Sequence, residues 1–174
     1  YVLDATDDSD ASIVIEEDYA ANTIYLYTAN EVDKQPGISG GYGKSYHRKI
    51  DGLTGEVVWQ VAWDASIGNT SSNGGTLSTA HVGHGSIADV VIYTSTLVPV
   101  TLADGTEQNG GRIVAYDKAT GNELWRYEQA GGYWSSPVVI YDENEKAYLL
   151  QCDRSGMLRM HDPPPLRPWP VAAP

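Results

Sequence analysis

Four histidines are the first side chains in this sequence that could do chemistry. His81-Val82-Gly83-His84 places two imidazoles in a Gly-rich loop, and His47 and His161 lie elsewhere in the chain. A zinc site needs about three or four converging ligands, and the sequence has neither paired Cys residues nor an H-E-x-x-H motif. We therefore interpret the two loop histidines as part of a polar loop, with a metal site as the alternative.

The N-terminal segment is rich in oxygen ligands of the kind that Ca²⁺ prefers. The candidate ligands are Asp4, Asp7, Asp8 and Asp10. The segment lacks the Gly and Glu spacing of an EF-hand loop. A solvated acidic linker over residues 1–11 is therefore the main prediction, and a calcium site is the alternative.

Two aromatic residues and one thiol complete the candidate groups. Tyr133 and Trp134 precede a predicted strand. If they are exposed, they could stack on a sugar or a peptide; if they are buried, they would pack one sheet against another. We favour packing. Cys152 is the single cysteine, so no intrachain disulfide can form, and we expect a small buried hydrophobe on an inner strand. We find no Ser/His/Asp or Cys/His arrangement with motif support.

Composition excludes several classes of function. The formal net charge is −12, and an acidic surface repels phosphate backbones, so we expect no nucleic-acid partner. No apolar run approaches the roughly 18–20 residues of a membrane span. The chain starts at Tyr1 without an initiator Met or a leader-like segment, which is typical of a processed or excised piece.

The elements that must position these groups are short strands. Val, Ile, Thr and Tyr runs alternate with Gly/Asn/Asp turns, and no segment keeps a 3.6-residue apolar period, so we predict no helix. Loops are expected at 66–85 and 99–110, where Gly, Asn, Ser and Thr are frequent. The predicted strands are 12–16, 23–29, 47–51, 56–62, 89–95, 112–117, 122–128, 137–141, 146–152 and 157–162.

A repeat connects these strands. The pattern D-x-x-T-G-x-x-x-W occurs twice, and in it Asp opens a turn, Gly supplies a positive φ and Trp packs one sheet on the next. Lys49 stands where the second copy has a small residue. The repeat residues are Asp51, Thr54, Gly55 and Trp59 in the first copy and Ala115, Asp117, Thr120, Gly121 and Trp125 in the second.

The spacing of the repeat indicates its architecture. Asp117 and Asp162 are 45 residues apart, which fits one propeller blade of about 40–50 residues. The longer first interval requires an insertion. After Asp162 the pattern fails, because residues 163–174 are a Pro-rich tail that cannot supply strand hydrogen bonds.

The extended motif A-x-D-x-x-T-G-x-x-x-W resembles the tryptophan-docking repeat of the PQQ-like β-propellers, which include quinoprotein alcohol dehydrogenases and BamB-like lipoproteins. The resemblance covers roughly residues 12–162 and implies an all-β fold, a β-propeller fragment of four-stranded antiparallel blades. It implies about three blades, at 12–64, 80–128 and 135–162, of which the last is partial.

For an enzyme of that family, the resemblance would imply a disulfide between adjacent cysteines, a calcium-ligand set and a catalytic Asp. Because one Cys is present and Asp51 and Asp117 match turn positions, no catalytic residue is assigned and no cofactor is expected, with PQQ or calcium as alternatives. The leading hypothesis is a non-catalytic, extracytoplasmic scaffold that associates with a protein partner or further blades through open edges. A fragment of a quinoprotein oxidoreductase and a carbohydrate- or cell-wall-binding module are the alternatives.

Overall fold

The computed structural model describes residues 9–32, 42–66 and 73–161. These residues form antiparallel strands and one short 3₁₀ turn at Gly85–Ile87. Within the described ranges, no helix has the length and apolar character needed to cross a membrane. The strands are β1 (Val14–Asp18), β2 (Thr23–Ala29), β3 (Glu31–Val32), β4 (Tyr42–Asp51), β5 (Val57–Ser66), β6 (Gly74–Gly75), β7 (His81–Val82), β8 (Val90–Thr101), β9 (Glu107–Asp117), β10 (Glu123–Gln129), β11 (Val138–Tyr141), β12 (Ala147–Cys152) and β13 (Leu158–His161).

The strands form three sheets in chain order. The first sheet has the order β1-β2-β4-β5, and the third has the order β11-β12-β13. In the second sheet, β7, β8, β9 and β10 form a four-stranded meander, while β6 and β3 extend the same sheet beyond the other half of β8. The chain is therefore all-β, built from consecutive antiparallel blades of a partial β-propeller, and the predicted fold class is confirmed.

The sheets pack face to face through two apolar clusters. Because side chains alternate between the two faces of a strand, the second sheet can contact the first with one face and the third with the other. The cluster between the first and second sheets contains Tyr27, Ala29, Trp59, Val91, Tyr93, Val114 and Tyr116. The cluster between the second and third sheets contains Ile87, Val90, Ile92, Ile113, Ala115, Tyr133, Ala147 and Leu149.

One predicted loop is wrong. Residues 99–110 were expected to be irregular, but β8 continues to Thr101 and β9 begins at Glu107, so they form the distal end of a long hairpin. Pro99 lies opposite Asn109 in this hairpin, and its carbonyl accepts a hydrogen bond from Arg112 Nη2. Buried Val98 and Val100 pack with Val32 and Ala65, which supplies an apolar contact that local composition does not reveal.

Aspartates close the hairpins. The carboxylates of Asp51, Asp104, Asp117, Asp142 and Asp153 each accept backbone N–H bonds from residues two to four positions later in the chain. Such bonds favour the ionised form. The pKa of each carboxyl is accordingly lowered, that of Asp153 to about 2, chiefly by the hydrogen bond from the Ser155 hydroxyl.

These lowered pKa values predict acid sensitivity. The stabilisation is present above the ordinary Asp pKa of about 3.9, and it is lost as the pH falls through the lowered folded-state values, to about 2 for Asp153. The free energy of unfolding, measured by urea titration between pH 5 and pH 2, should fall with pH. Asp153→Asn should make that fall shallower, whereas Glu143→Gln, on another exposed hairpin turn, should not; equal slopes for the two variants would contradict the assignment.

Candidate functional site

The first copy of the repeat forms a tight turn after β4. The Asp51 carboxylate accepts hydrogen bonds from the backbone N–H of Leu53 at 2.9 Å and of Thr54 at 2.8 Å. The backbone N–H of Gly55 donates to the Asp51 carbonyl at 2.7 Å, and Gly55 has φ 77°. Its positive φ is the reason for a glycine at this position.

The second copy reproduces this turn after β9. The Asp117 carboxylate accepts from both the backbone N–H and the hydroxyl of Thr120 at 2.8 Å, and Gly121 N–H donates to the Asp117 carbonyl at 2.9 Å. Gly121 has φ 73°. The Asp, Thr and Gly that the two copies share therefore make hydrogen bonds within a turn, and both carboxylates are engaged by their own turns.

Trp59 joins the two copies. Its indole Nε1–H donates to the Lys118 carbonyl at 3.0 Å, and the Lys49 ammonium donates to the same oxygen at 2.9 Å. A Cβ atom on Gly121 would lie 2.8 Å from the indole ring, so the turn accepts Trp59 only because Gly121 has no side chain. Trp59 is 8% exposed. The tryptophan of one blade thus docks on the turn of the next.

Trp125 occupies the equivalent position on β10 but is only half-buried, against the cluster between the second and third sheets. The turn that would receive it follows Asp162 in the repeat. That position and the Pro-rich tail lie outside the described residues.

A chain of buried polar groups lies between the first and second sheets. Trp63 Nε1–H donates to the Tyr116 hydroxyl at 2.7 Å, and that hydroxyl lies 3.0 Å from His47 Nδ1. His47 Nε2 lies 2.7 Å from the Thr76 hydroxyl, which lies 2.9 Å from the Ser95 hydroxyl. In the tautomer with the proton on Nε2, the His47 imidazole accepts from the Tyr116 hydroxyl at Nδ1 and donates to the Thr76 hydroxyl.

This polar chain is sealed from solvent. His47 stacks on Tyr93 with ring centroids 4.2 Å apart, and both residues are 0% exposed. Burial, with a smaller contribution from the Arg112 charge, lowers the pKa of His47 to about 3, so the imidazole is neutral at physiological pH. Although the group resembles a proton relay, its His47, Tyr116, Thr76 and Ser95 are buried, and its role is to satisfy polar atoms inside the interface between two sheets.

An open cleft of ≈ 530 Å³ lies at the edge of the same interface. Its principal charges are Glu16 and Lys49. The Glu16 carboxylate accepts a hydrogen bond from the Tyr27 hydroxyl at 2.7 Å and is paired with Lys118. The Lys49 ammonium lies 3.7 Å from the centroid of the Tyr25 ring. Burial opposes ionisation of Glu16, but the hydrogen bonds from Lys118 and Tyr27 outweigh it and lower the pKa. These opposite charges satisfy one another across the first and second sheets.

The predicted aromatic pair separates in the structure. Tyr133 is 0% exposed and packs between the second and third sheets, whereas Trp134 is 49% exposed. Trp134 lines a cleft of ≈ 350 Å³, and the Arg154 guanidinium lies 4.2 Å from its ring centroid. Of the proposed ligand surface, only Trp134 faces solvent.

The expected burial of Cys152 is wrong. Cys152 is exposed and lines the same cleft as Trp134. Cys152 is the last residue of β12, and pairing with Leu158 directs it to the sheet face that no other sheet covers. The alternation along β12 that buries Gln151 exposes its neighbour.

The histidines do not converge. His84 stacks on Tyr141 with centroids 3.9 Å apart, His47 lies in the sealed polar chain, and His161 packs near Tyr127. In the ranges that the structure describes, no three His, Cys, Asp or Glu side chains are grouped so that they could hold a metal ion. Of the candidate calcium ligands, Asp10 is described and exposed, and Asp4, Asp7 and Asp8 lie outside the described residues.

The third sheet exposes an apolar face. Register places Val138, Leu150 and Met160 beside one another across β11, β12 and β13, and Ile140 and Leu158 share that face. Val138, Ile140, Leu158 and Met160 are between 47% and 65% exposed. The signal in the sequence is the alternation of Val138 with Ile140 and of Leu158 with Met160, although it does not indicate which face is covered.

The first sheet has a smaller exposed apolar area on the side away from the second sheet. Ile15 lies in edge strand β1 and Ile13 immediately precedes it, and each is 59% exposed. Ile50, which shares a face with Ile15, is buried. Contiguous apolar surface of this kind marks association sites more often than scattered single residues do.

Comparison with known proteins adds little to these observations. No family model matches the chain, and no curated protein matches it. Among solved structures, the chain is similar to a europium-containing methanol dehydrogenase, with 16% sequence identity and a TM-score of 0.45 over 79% of this chain. The chain spans 23% of the length of that protein. A similarity this weak identifies neither a family nor an activity.

We expect the two repeat tryptophans to differ in stability effect. Trp59→Ala should lower the free energy of unfolding by about 3–5 kcal/mol, because it removes a buried indole and its hydrogen bond. Trp125→Ala should cost less, since Trp125 is half-buried. Urea unfolding of both variants checks this, and an equal or larger loss for Trp125→Ala would contradict it.

Gly121→Ala should be more destabilising than Gly105→Ala. Both glycines have a positive φ, 73° and 83°, but only Gly121 lies against an indole, and nothing lies within 4 Å of a Cβ on Gly105. The excess cost should be about 1–3 kcal/mol from overpacking. In a Trp59→Ala background the excess should largely disappear; if it persists there, the docking contact is not its cause.

Proposed function

We propose that this chain is a non-catalytic β-propeller module that acts as a scaffold by binding protein through its uncovered sheet faces. The observation that carries the proposal is the exposed apolar face of the third sheet, with Val138, Ile140, Leu158 and Met160 between 47% and 65% exposed. Burying such side chains is worth roughly 25 cal/mol per Å² of apolar area, which favours a partner.

The polar groups support the same proposal. The carboxylates of Asp51 and Asp117 are engaged in turns, His47 is sealed between two sheets, and Glu16 is paired with Lys118. The two aspartates shape turns, while His47 and Glu16 link the first sheet to the second. The chemistry-bearing residues are thus used as structure, and binding is left to the sheet faces.

A quinoprotein fragment is the first alternative. The described residues do not fit a quinone site of the kind that the resemblance implies, because Cys152 has no cysteine to pair with and the repeat carboxylates bind their own turns. We derive no step through such a cofactor.

A carbohydrate-binding module is the second alternative, and exposed Trp134 favours it. An aromatic ring in an open cleft can stack on a sugar. Arg154 already lies over the Trp134 ring, so a sugar on that side would have to displace the guanidinium.

An extracytoplasmic location remains part of the proposal. It is supported by the single cysteine. A protein outside the cytoplasm gains from having few reactive thiols.

Partner binding through the third sheet is testable by photo-crosslinking. A photo-reactive residue at Leu158 in the full chain, expressed in its own cells, should give a discrete protein adduct. Ile140→Asp should abolish the adduct, because it places a charge on the apolar face. Leu53→Asp, at an equally exposed apolar residue on a turn, should leave it unchanged. Absence of an adduct, or its persistence in Ile140→Asp, would contradict the proposal.

The alternatives have their own readouts. Adding the protein to PQQ and Ca²⁺ should leave the absorbance spectrum of PQQ unchanged, and the melting temperature of the protein should not change either. No glycan on an array should retain the protein. Saturable binding of one PQQ per chain would instead support the oxidoreductase. Glycan binding that Trp134→Ala removes would support the carbohydrate module.

A further inference from the structure

One arginine of this acidic chain has no acidic partner. The sequence has 23 Asp and Glu residues against 11 Lys and Arg, so carboxylates are plentiful. Within the part of the chain that the structure describes, no oxygen accepts a hydrogen bond from the Arg154 guanidinium, which lies 4.2 Å from the centroid of the Trp134 ring. The other described arginines pair with an oxygen each: Arg48 with Gln60, Arg112 with Glu128, Arg126 with Glu123 and Arg159 with Asp153. The guanidinium N–H donors of Arg154 are thus available to a ligand.

Packing holds the stem of Arg154 in place. Its backbone N–H donates to the Gly132 carbonyl at 3.1 Å. A Cβ atom on Gly132 would lie 3.2 Å from Arg154 Cδ and 1.8 Å from the Thr96 hydroxyl oxygen, so this close approach requires a glycine. A guanidinium that lies over an aromatic ring can still present its N–H groups to both oxygens of a carboxylate. The cation is therefore already positioned in the cleft of ≈ 350 Å³ that Arg154 and Trp134 line.

The other polar groups of this cleft are already in use. The Ser135 hydroxyl donates to the Cys152 carbonyl at 2.8 Å and accepts from Gln151 Nε2 at 2.8 Å. The Asp153 carboxylate accepts hydrogen bonds within its own turn, and its side chain is only 4% exposed. A ligand in this cleft thus meets one charged group with unused hydrogen bonds, and that group is a cationic donor. The group that matches it is an anionic acceptor.

The cleft adjoins the apolar face of the third sheet. Cys152 lines the cleft and is paired in register with Leu158, which is 63% exposed on that face. A protein segment that crosses the face can therefore place one side chain in the cleft. A carboxylate suits this position better than a phosphate, because the net charge of −12 opposes a second negative charge on the ligand.

Resting on the proposed function, we propose that the protein partner carries an Asp or Glu side chain that binds Arg154 in this cleft, next to apolar side chains that cover Leu158. The carboxylate accepts two hydrogen bonds from the guanidinium, and the exposed part of the Trp134 indole contacts the neighbouring apolar group. The charge at Arg154 thereby selects among apolar partners and fixes their register on the sheet.

Alkylation of Cys152 reports whether the cleft is occupied. Cys152 is the single cysteine and is exposed, so mass spectrometry of the full chain after treatment with neutral iodoacetamide measures access to this cleft alone. The probe is acetyl-Glu-Leu-Leu-amide, and its matched control is acetyl-Gln-Leu-Leu-amide. The glutamate peptide should slow alkylation saturably, and the glutamine peptide should not. Equal protection by both would overturn the proposal, and so would a thiol that is unreactive without peptide, because another part of the protein would then cover the cleft.

Substitutions of Arg154 test the contact itself. Arg154→Gln should weaken protection by the glutamate peptide about tenfold, the usual loss for one charge-assisted pair. Arg154→Lys should weaken it less, because the ammonium keeps the charge but lacks the planar fork. Arg126→Gln, at an arginine that already pairs with Glu123, should leave the affinity unchanged. Each rate is compared with that of the same variant without peptide, and an unchanged affinity in Arg154→Gln would contradict the proposal.

Two more ligands identify the source of the anion. Inorganic phosphate should protect Cys152 less than the glutamate peptide does at equal concentration. Acetyl-Leu-Leu, whose only carboxylate is at its C-terminus, should also protect less. Equal or better protection by either ligand would assign the cleft to that group and overturn the assignment to an acidic side chain.

Failure here can be separated from failure of the proposed function. If the Leu158 adduct forms, is abolished by Ile140→Asp and persists in Arg154→Gln, the scaffold function stands and the carboxylate contact is wrong. If the glutamate peptide protects Cys152 but no adduct forms, the cleft binds carboxylates and the protein partner is wrong. If neither protection nor an adduct occurs, both fail.

Discussion

The indole of Trp59, seated on the turn that begins at Asp117, is the contact on which the packing of the first two sheets depends. It brings together three requirements: an Asp carboxylate that shapes the turn, a carbonyl at Lys118 that accepts the indole N–H, and the absence of a side chain at Gly121. Each requirement is local, but together they fix where the first sheet meets the second. The buried chain of Tyr116, His47 and Thr76 can be satisfied only after the sheets meet in this way.

This arrangement explains why side chains that could act as acids or bases have structural partners instead. A polar atom left unpaired inside an inter-sheet interface costs about 1–3 kcal/mol. His47, Tyr116 and Trp63 avoid that cost for one another. Among the described surfaces, the face of the third sheet that no other described sheet covers exposes four large apolar side chains, Val138, Ile140, Leu158 and Met160.

Much of the fold is predictable from the sequence because the turns are encoded locally. Each of the ten predicted strands overlaps an observed strand with a boundary within three residues at one end or both, and β2 matches at both ends. The failures occur where distant contacts decide. Residues 99–101 and 107–110 extend the strands β8 and β9, and the neighbouring Val98 and Val100 pack against Val32, which is distant in the sequence. The short strands β3, β6 and β7 exist only through pairing with distant segments. No local pattern could indicate that Tyr133 is buried and Trp134 exposed, since the outcome depends on which neighbour faces the second sheet.

The sequence by itself determined the repeating unit: an Asp–Gly turn, a returning strand and a tryptophan on one side of it. These are properties of a few consecutive residues, set by backbone conformation and strand alternation. Only the tertiary structure decided which faces are covered, so that His47 is buried between two sheets, Cys152 is an exposed thiol and the third sheet has an exposed apolar face. The physical reason is that burial belongs to pairs of sheets, and a strand's own residues specify two faces without specifying what lies against either.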